Sequence, residues 1–463
     1  MFSKMTKCVP YIVGLFSLGY FGMLAAPNMT WLNTDCDGAI YLRSAKYFVL
    51  SHSTGAPLNN LINWVFVRIP LGSEFFRLAM VSVIASSLTA VLLYLIAKRH
   101  TNVLWKQLLA PAIWLGSGLV VSQSTIVESY ALVTLTIVAA YYFHLRGNNK
   151  LKYLMCAFGL GIHITLMCLL LVPLIVRDWY ERAPLKPMLF TLTGIALYAY
   201  IPLANRAPYV WIGGDTLRDY FIYFTNASGL LGGLAILPPH DLIIRLEDFA
   251  LIFFGGFAVA TILIIHGLIE EFKTKQYLLA TFFLLPIIYY LTDFASQVYV
   301  YLMPSFAFGA ILAVKHEWKW KLAPYTAKLA LVTACLLIVL NVQMYDLGRT
   351  LDPKLTKFLF YNQLDDVPDD ALVFGRGWQV CWLYNDDHDT SIETMTSRFI
   401  VIEDEEKAQR ISKIKEFRDR GKLFRTYVVD SETQETVIEL WNPSNEAIEY
   451  AINETRYMDG LKQ

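Results

Sequence analysis

Tyr11-Ile-Val-Gly-Leu-Phe-Ser-Leu-Gly-Tyr-Phe-Gly-Met-Leu-Ala-Ala26 is followed, after a short polar stretch, by Thr34-Asp35-Cys36-Asp37-Gly38. The first stretch is uncharged and has the length and composition of a membrane helix. The second places two carboxylates just beyond its end, outside the hydrocarbon, where solvation favours them. No small-residue cleavage site marks the apolar stretch as a leader, and further apolar blocks follow it. The acidic pair belongs to a loop of roughly fifty residues, longer than a simple connection between two spans needs.

Working outward, the same pattern recurs along the chain. Of 463 residues, 56% are hydrophobic and only 17% are charged, below the level of a soluble domain. Apolar blocks predict an all-α polytopic membrane protein with about eleven spans. They lie near 9–26, 77–97, 104–121, 125–144, 153–161, 164–176, 187–203, 248–269, 277–291, 299–315 and 324–343. Gly159 and Gly161 interrupt one long apolar run, which predicts a re-entrant pair and hence a cavity wall, since irregular backbone at membrane depth needs cover.

Basic residues orient the chain. Lys4 and Lys7, then Lys98, Arg99 and Lys106, then Arg146, Lys150 and Lys152 fall in short loops on one side. Arg177, Arg182 and Lys186, Lys273 and Lys275, and Lys315, Lys319 and Lys321 continue the series. The positive-inside rule makes that side cytoplasmic. Loop 27–76, loop 204–247 and the tail from Asp346 are then extracytoplasmic, in the periplasm of a bacterial inner membrane or the lumen of an endoplasmic reticulum membrane. The sequons at Asn28, Asn226 and Asn453 fall on the same side and matter in a eukaryotic host.

Two domains follow: a membrane module, 1–345, and an extracytoplasmic domain, 346–463. In the second, Ala371–Phe374, Phe399–Ile402 and Thr426–Val429 read as strands, and Glu405–Arg420 has a helical period, so a small α/β fold is predicted. Asp386-Asp387-His388-Asp389 has side chains that could bind a cation, and a solvated turn is the favoured reading. Formal net charge is zero, which excludes an electrostatic nucleic-acid partner. The six cysteines have no metal-binding spacing, and Cys36 and Cys381 share the extracytoplasmic side.

Polar residues converge on that face. Asp35 and Asp37 are joined by Lys46 and by His52-Ser53-Thr54-Gly55-Ala56-Pro57 in the first loop. Residues 39–50 and the stretch after Pro57 are amphipathic, as in interfacial helices. Glu128 opens the fourth span and His163 lies at the break after Gly161. Arg206 follows the seventh span, with Trp211 and Asp215 beyond it, and Asp293 and Tyr299 mark another turn. An acid, a histidine and an arginine at one membrane face suit a lipid-linked sugar phosphate. The acid activates an acceptor hydroxyl, and Arg206 or Lys46 stabilises the departing phosphate. No nucleotide-binding loop is found on the cytoplasmic side.

These motifs resemble the GT-C glycosyltransferase superfamily, and within it the branch with the plexin-type protein O-mannosyltransferase and its bacterial relatives. Where that branch reads Gly-Asp-Ser-Gly-Glu, this chain reads Thr34-Asp35-Cys36-Asp37-Gly38, with Asp37 one position ahead of the glutamate. His52, Gly55 and Pro57 keep three residues of the second motif, whose double proline is Ser53-Thr54 here. Glu128-Ser-Tyr130-Ala-Leu132, Gly159-Leu160 before His163, Pro202-Leu203 before Arg206, and Trp211 follow in order. The match spans about 30 to 305 and continues weakly over Asp370 to Tyr384.

The resemblance implies inverting transfer of a monosaccharide, mannose in that branch, from a polyprenyl or dolichyl phosphate to a protein, lipid or glycan acceptor. It implies Asp35 as base, and that role alone is carried over. On the residues themselves, Asp37 would assist or hold a divalent cation, His52, Glu128 and His163 would shape the sugar and acceptor site, and Arg206 or Lys46 would meet the phosphate. A carrier or flippase of the lipid-linked sugar, or an inactive scaffold, would use the same cavity. The lack of an internal repeat disfavours the carrier.

Overall fold

The computed structural model describes residues 2–27, 37–51, 55–184, 186–205, 216–225, 239–292, 298–318 and 320–345. In the tail it describes 372–375, 399–401, 419, 421, 423–429 and 435–440. The chain is an integral membrane protein built of apolar helices. They are α1 (Phe2–Leu24), α2 (Asp37–Tyr47), α3 (Pro57–Phe66), α4 (Glu74–His100), α5 (Leu104–Gly116), α6 (Gly118–Ser124) and α7 (Tyr130–Leu145). Then come α8 (Asn149–Ile162), α9 (Ile164–Tyr180), α10 (Lys186–Ala204, of mixed 3-10 and α turns) and α11 (Leu217–Thr225). The last are α12 (Pro239–Phe257), α13 (Ala260–Lys273), α14 (Tyr277–Thr292), α15 (Met303–Lys315) and α16 (Ala323–Met344).

Packing follows the width of each apolar stripe. In α15 every residue from Met303 to Val314 is buried, so a helix apolar all round takes the centre. Helix α4 is second, with 67% of its apolar window buried, and packs on α1, α5 and α7. In α1, α10 and α16 only 28%, 28% and 22% are buried. Their outward side chains, such as Leu15, Phe16, Val332 and Leu336, are exposed and apolar, as lipid requires.

Four described helices are long and apolar enough to cross a membrane, and up to six if each bent pair counts as one span. The expected span 104–121 is α5 and α6, bent by 66° at Ser117. The carbonyl of Gly116 freed there accepts from the Asn341 side chain of α16 at 3.0 Å. The expected span 248–269 is α12 and α13, bent by 102° around Ala258, whose φ is 44°. At the first bend, then, a distant helix covers the freed backbone.

The run broken near Gly159 forms two helices joined by one extended residue, His163. The two glycines serve close packing: a Cβ on Gly159 would meet Met167 and Thr136, and one on Gly161 would meet Leu58 and Leu197. At the far ends, buried Lys152 of α8 pairs with buried Asp178 of α9, and the Tyr153 hydroxyl donates to Asp178 at 2.7 Å. The pair is thus a hairpin whose open ends share one face and whose tip is His163. That face also holds Arg99, donating to the Leu145 carbonyl at 2.8 Å, and Lys315 paired with Glu271.

In the tail, β1 (Leu372–Gly375), β2 (Phe399–Val401), β3 (Leu423–Val429) and β4 (Glu435–Leu440) form one sheet in the order β2-β1-β3-β4. Strand β1 is parallel to β2 and β3, and β4 is antiparallel to β3. Strands β1 to β3 overlap the three apolar runs read from the sequence. Apart from Asp419, the expected helix 405–420 lies outside the described residues.

Candidate active site

At the end of the bundle opposite the basic loops, α2 is buried from Gly38 to Ala45 and begins with Asp37 in its first turn. A carboxylate is favoured there by the unpaired N–H groups of a helix start. Helix α3 lies beside it with Asn59, Asn60 and Asn63 buried and Leu61 and Val65 exposed, the two-sided pattern of an interfacial helix. Asn60 donates to the Tyr200 hydroxyl at 2.7 Å and to the Gly55 carbonyl at 2.9 Å, which pins this loop to the end of α10. Gly55 has φ 87°, which its missing Cβ permits.

Glu128 sits in the break between α6 and α7. Its carbonyl accepts from the Ser82 hydroxyl at 3.0 Å, and the Ala26 N–H donates to the Thr125 carbonyl at 2.8 Å, tying the break to α4 and α1. Its carboxyl is half-buried. Burial, and then the Asp37 charge, push its proton affinity well above the usual carboxylate range, against a smaller effect of the Ser129 N–H. The buried Tyr41 phenol is raised by burial and then by the charges of Glu128 and Asp37. The two carboxylates therefore face one space from two segments.

His163 lies on the same side. Its Nδ1 accepts from the Leu166 N–H at 3.3 Å, capping α9 and leaving the proton of the neutral ring on Nε2. Its ring is 5.6 Å from that of Tyr130 and 5.4 Å from that of Tyr301, and those two rings are 5.4 Å apart.

Of the residues expected at the site, the structure brings together Asp37, Glu128 and His163. Lys46 instead pairs with Glu74 of α4 at 3.1 Å, both partly exposed. Asp35, His52 and Arg206 lie outside the described residues, as do Trp211, Asp215, Asp293, Cys36 and Cys381. The sequons and the 386–389 cluster lie there too. Among the described residues no group of three or more His, Cys, Asp or Glu side chains is arranged to hold a metal ion.

A cavity of about 890 Å³ lies between α5, α6, α12, α14 and α16. Arg245, Asp248, Tyr290 and Tyr299 form its polar part, and Leu251 and Leu337 belong to its apolar part. The Arg245 guanidinium is 5.4 Å from the centre of the Tyr290 ring. Tyr299 lines the cavity and Tyr301, two residues on, touches His163, so the turn Val298–Leu302 connects the cavity wall to the His163 ring. The sequence reading missed Arg245 and Asp248. The signal was present as an Arg-x-x-Asp spacing at the edge of an apolar run. Tyr41 and Ser129 gave no signal.

No family model matches the chain, and no curated protein does. Solved structures do. ArnT from Cupriavidus metallidurans in the apo state superposes with a TM-score of 0.61 at 10% identity, over 95% of this chain and 98% of that one. The same enzyme bound to undecaprenyl phosphate gives 0.57 at 10% identity, over 96% and 99%. This chain shares the fold of ArnT.

Proposed function

We propose that the chain is an inverting glycosyltransferase that moves one monosaccharide from a polyprenyl or dolichyl phosphate to an acceptor at the extracytoplasmic face. The observation that carries this reading is a cavity that combines the Arg245 guanidinium with apolar walls. A sugar phosphate on an isoprenoid chain needs those elements together. That ArnT holds undecaprenyl phosphate supports the same donor class here.

In the proposed reaction a carboxylate takes the proton of an acceptor hydroxyl as its oxygen attacks the anomeric carbon. The bond from that carbon to the phosphate oxygen breaks, and the phosphate leaves with its electron pair. Asp35 is the proposed base, by resemblance, with Asp37 assisting or holding a divalent cation. Glu128, His163 and His52 shape the sugar and acceptor site. Arg206 and Arg245 are the proposed phosphate partners, since a guanidinium matches phosphate oxygens in pairs.

The finer reading includes eleven crossings, a C-terminal α/β domain outside the membrane, and mannose as the sugar. The test uses full-length protein in nanodiscs with a panel of labelled polyprenyl-phosphate sugars and cell extract as acceptor source. Release of lipid phosphate by wild type, lost in Asp35→Asn and Asp37→Asn, is the expected result. Donor binding without release in all three proteins would replace the enzyme by a carrier or scaffold.

A further inference from the structure

Arg245 and Asp248 stand three residues apart on α12, so their side chains are neighbours along one helix face. Both line the cavity. Among the described residues they are its only charged lining groups; the rest are glycines, hydroxyls, one amide and apolar side chains. Farther along the same helix Leu251, Ile252 and Gly255 continue the lining, so Asp248 stands between the guanidinium and an apolar wall. Tyr290 holds the arginine in place: its hydroxyl donates to the Arg245 carbonyl at 3.4 Å, and its ring lies 5.4 Å from the guanidinium. A carboxylate at the edge of an apolar run is costly without a purpose. It also opposes the anion that Arg245 would bind, and binding of the donor gives it no role.

We propose that Asp248 is a specificity-determining residue of the cavity, which offsets the attraction of Arg245 for a second negative charge and so disfavours retention of the lipid phosphate product over the donor. It rests on the transferase reading of this cavity. The donor is a phosphodiester with one negative charge. When the bond from the anomeric carbon to the phosphate oxygen breaks, the phosphate keeps the electron pair and becomes a monoester. A phosphate monoester carries about −1.5 to −2 at neutral pH, because its second ionisation lies near pH 6. Arg245 alone would therefore hold the product more tightly than the donor. Asp248, the neighbouring charge of opposite sign, repels the added charge as Arg245 attracts it. The gain is cancelled, and the product is free to leave.

The experiment measures equilibrium binding of two lipids of equal chain length, polyprenyl phosphate and its methyl ester, to the full-length protein in nanodiscs. The measurements are made at about pH 7.5, where the monoester carries its second charge. The methyl ester is a phosphodiester without a sugar, so the probes differ in charge and not in sugar contacts. Arg245→Ala locates the binding in the cavity by weakening both. Wild type is expected to bind the two lipids within about threefold of each other. Asp248→Asn, which keeps the size and removes the charge, should shift the ratio of the two Kd values about tenfold toward polyprenyl phosphate. Asp248→Glu, which keeps the charge, should leave the ratio within about threefold of wild type. Asp248 is exposed, so both variants are expected to fold.

A ratio in Asp248→Asn equal to that of wild type would overturn the proposal, and so would Asp248→Glu behaving like Asp248→Asn. A wild-type preference for polyprenyl phosphate of about tenfold or more would overturn it as well. Each of these results leaves the donor site standing. If neither lipid binds wild type, or if Arg245→Ala weakens neither, the cavity is not the donor site, and the role of Asp248 falls with it.

Discussion

At Glu128, burial and the Asp37 charge act in one direction, and the result has a cost in stability. The folded state holds the proton to a higher pH than the unfolded chain does. Between the ordinary carboxylate range and the raised native value, the unfolded state has released a proton that the folded state keeps. Raising the pH through that window therefore favours unfolding. Glu128→Gln removes the penalty. Its melting temperature relative to wild type should rise as pH goes from 5 to 8, while turnover falls about tenfold, the loss of one contact that shapes the site. Equal melting curves across that range would show that Glu128 titrates normally. Site strain of this kind, retained where function needs it, is the expected exchange of stability for activity.

At the scale of helices, α8 and α9 show how a hairpin tip is set from its base. The Lys152–Asp178 pair lies fully buried where the two helices open, and His163 is the residue that joins them at the other end. A buried pair is costly to halve, because the remaining charge has no water and no partner. Asp178→Ala is expected to destabilise the protein by about 3–5 kcal/mol, while Lys152→Met with Asp178→Leu and Tyr153→Phe, which also removes the hydroxyl that donates to Asp178, should be nearly neutral. Thermal unfolding in detergent checks both. A mild single variant would mean that water reaches the pair. The glycines that seemed to break this run lie inside α8, where they admit Thr136, Met167, Leu58 and Leu197. An apolar run containing glycine reads the same whether the glycine breaks a helix or lets a neighbour approach it.

For the whole molecule, the cavity makes separable predictions about the two parts of a lipid phosphate. A Cβ on Gly255 would meet nothing within 4 Å, and this residue lines the cavity. Gly255→Trp should therefore fold and fill part of the apolar space. It is expected to raise KM about tenfold for a long-chain donor while leaving a short-chain analogue within about threefold. Arg245→Ala should weaken binding of free polyprenyl phosphate about ten- to a hundredfold whatever its chain length, the loss of one charge-assisted contact. Binding to nanodisc-embedded protein distinguishes the two. Equal effects on both chain lengths in the Gly255 variant would place the isoprenoid chain elsewhere.

What the sequence determined alone is what depends on local solvation. Long uncharged runs specify membrane helices, and the bias of Lys and Arg among short loops separates one membrane face from the other. Glu128 and His163 were legible because each interrupts or ends an apolar run, where a polar side chain carries a large penalty without a purpose. Asp37 was legible from its place just past the first such run. Only the tertiary structure decided that these three share one space, that Lys46 turns to Glu74, and that Arg245 and Asp248 line a cavity. It also decided that α5–α6 and α12–α13 bend. Those outcomes depend on which distant helix supplies a partner for a freed carbonyl or a neighbour for a charge. Asn341 answering Gly116 is such a pairing, and no local pattern in the chain encodes it.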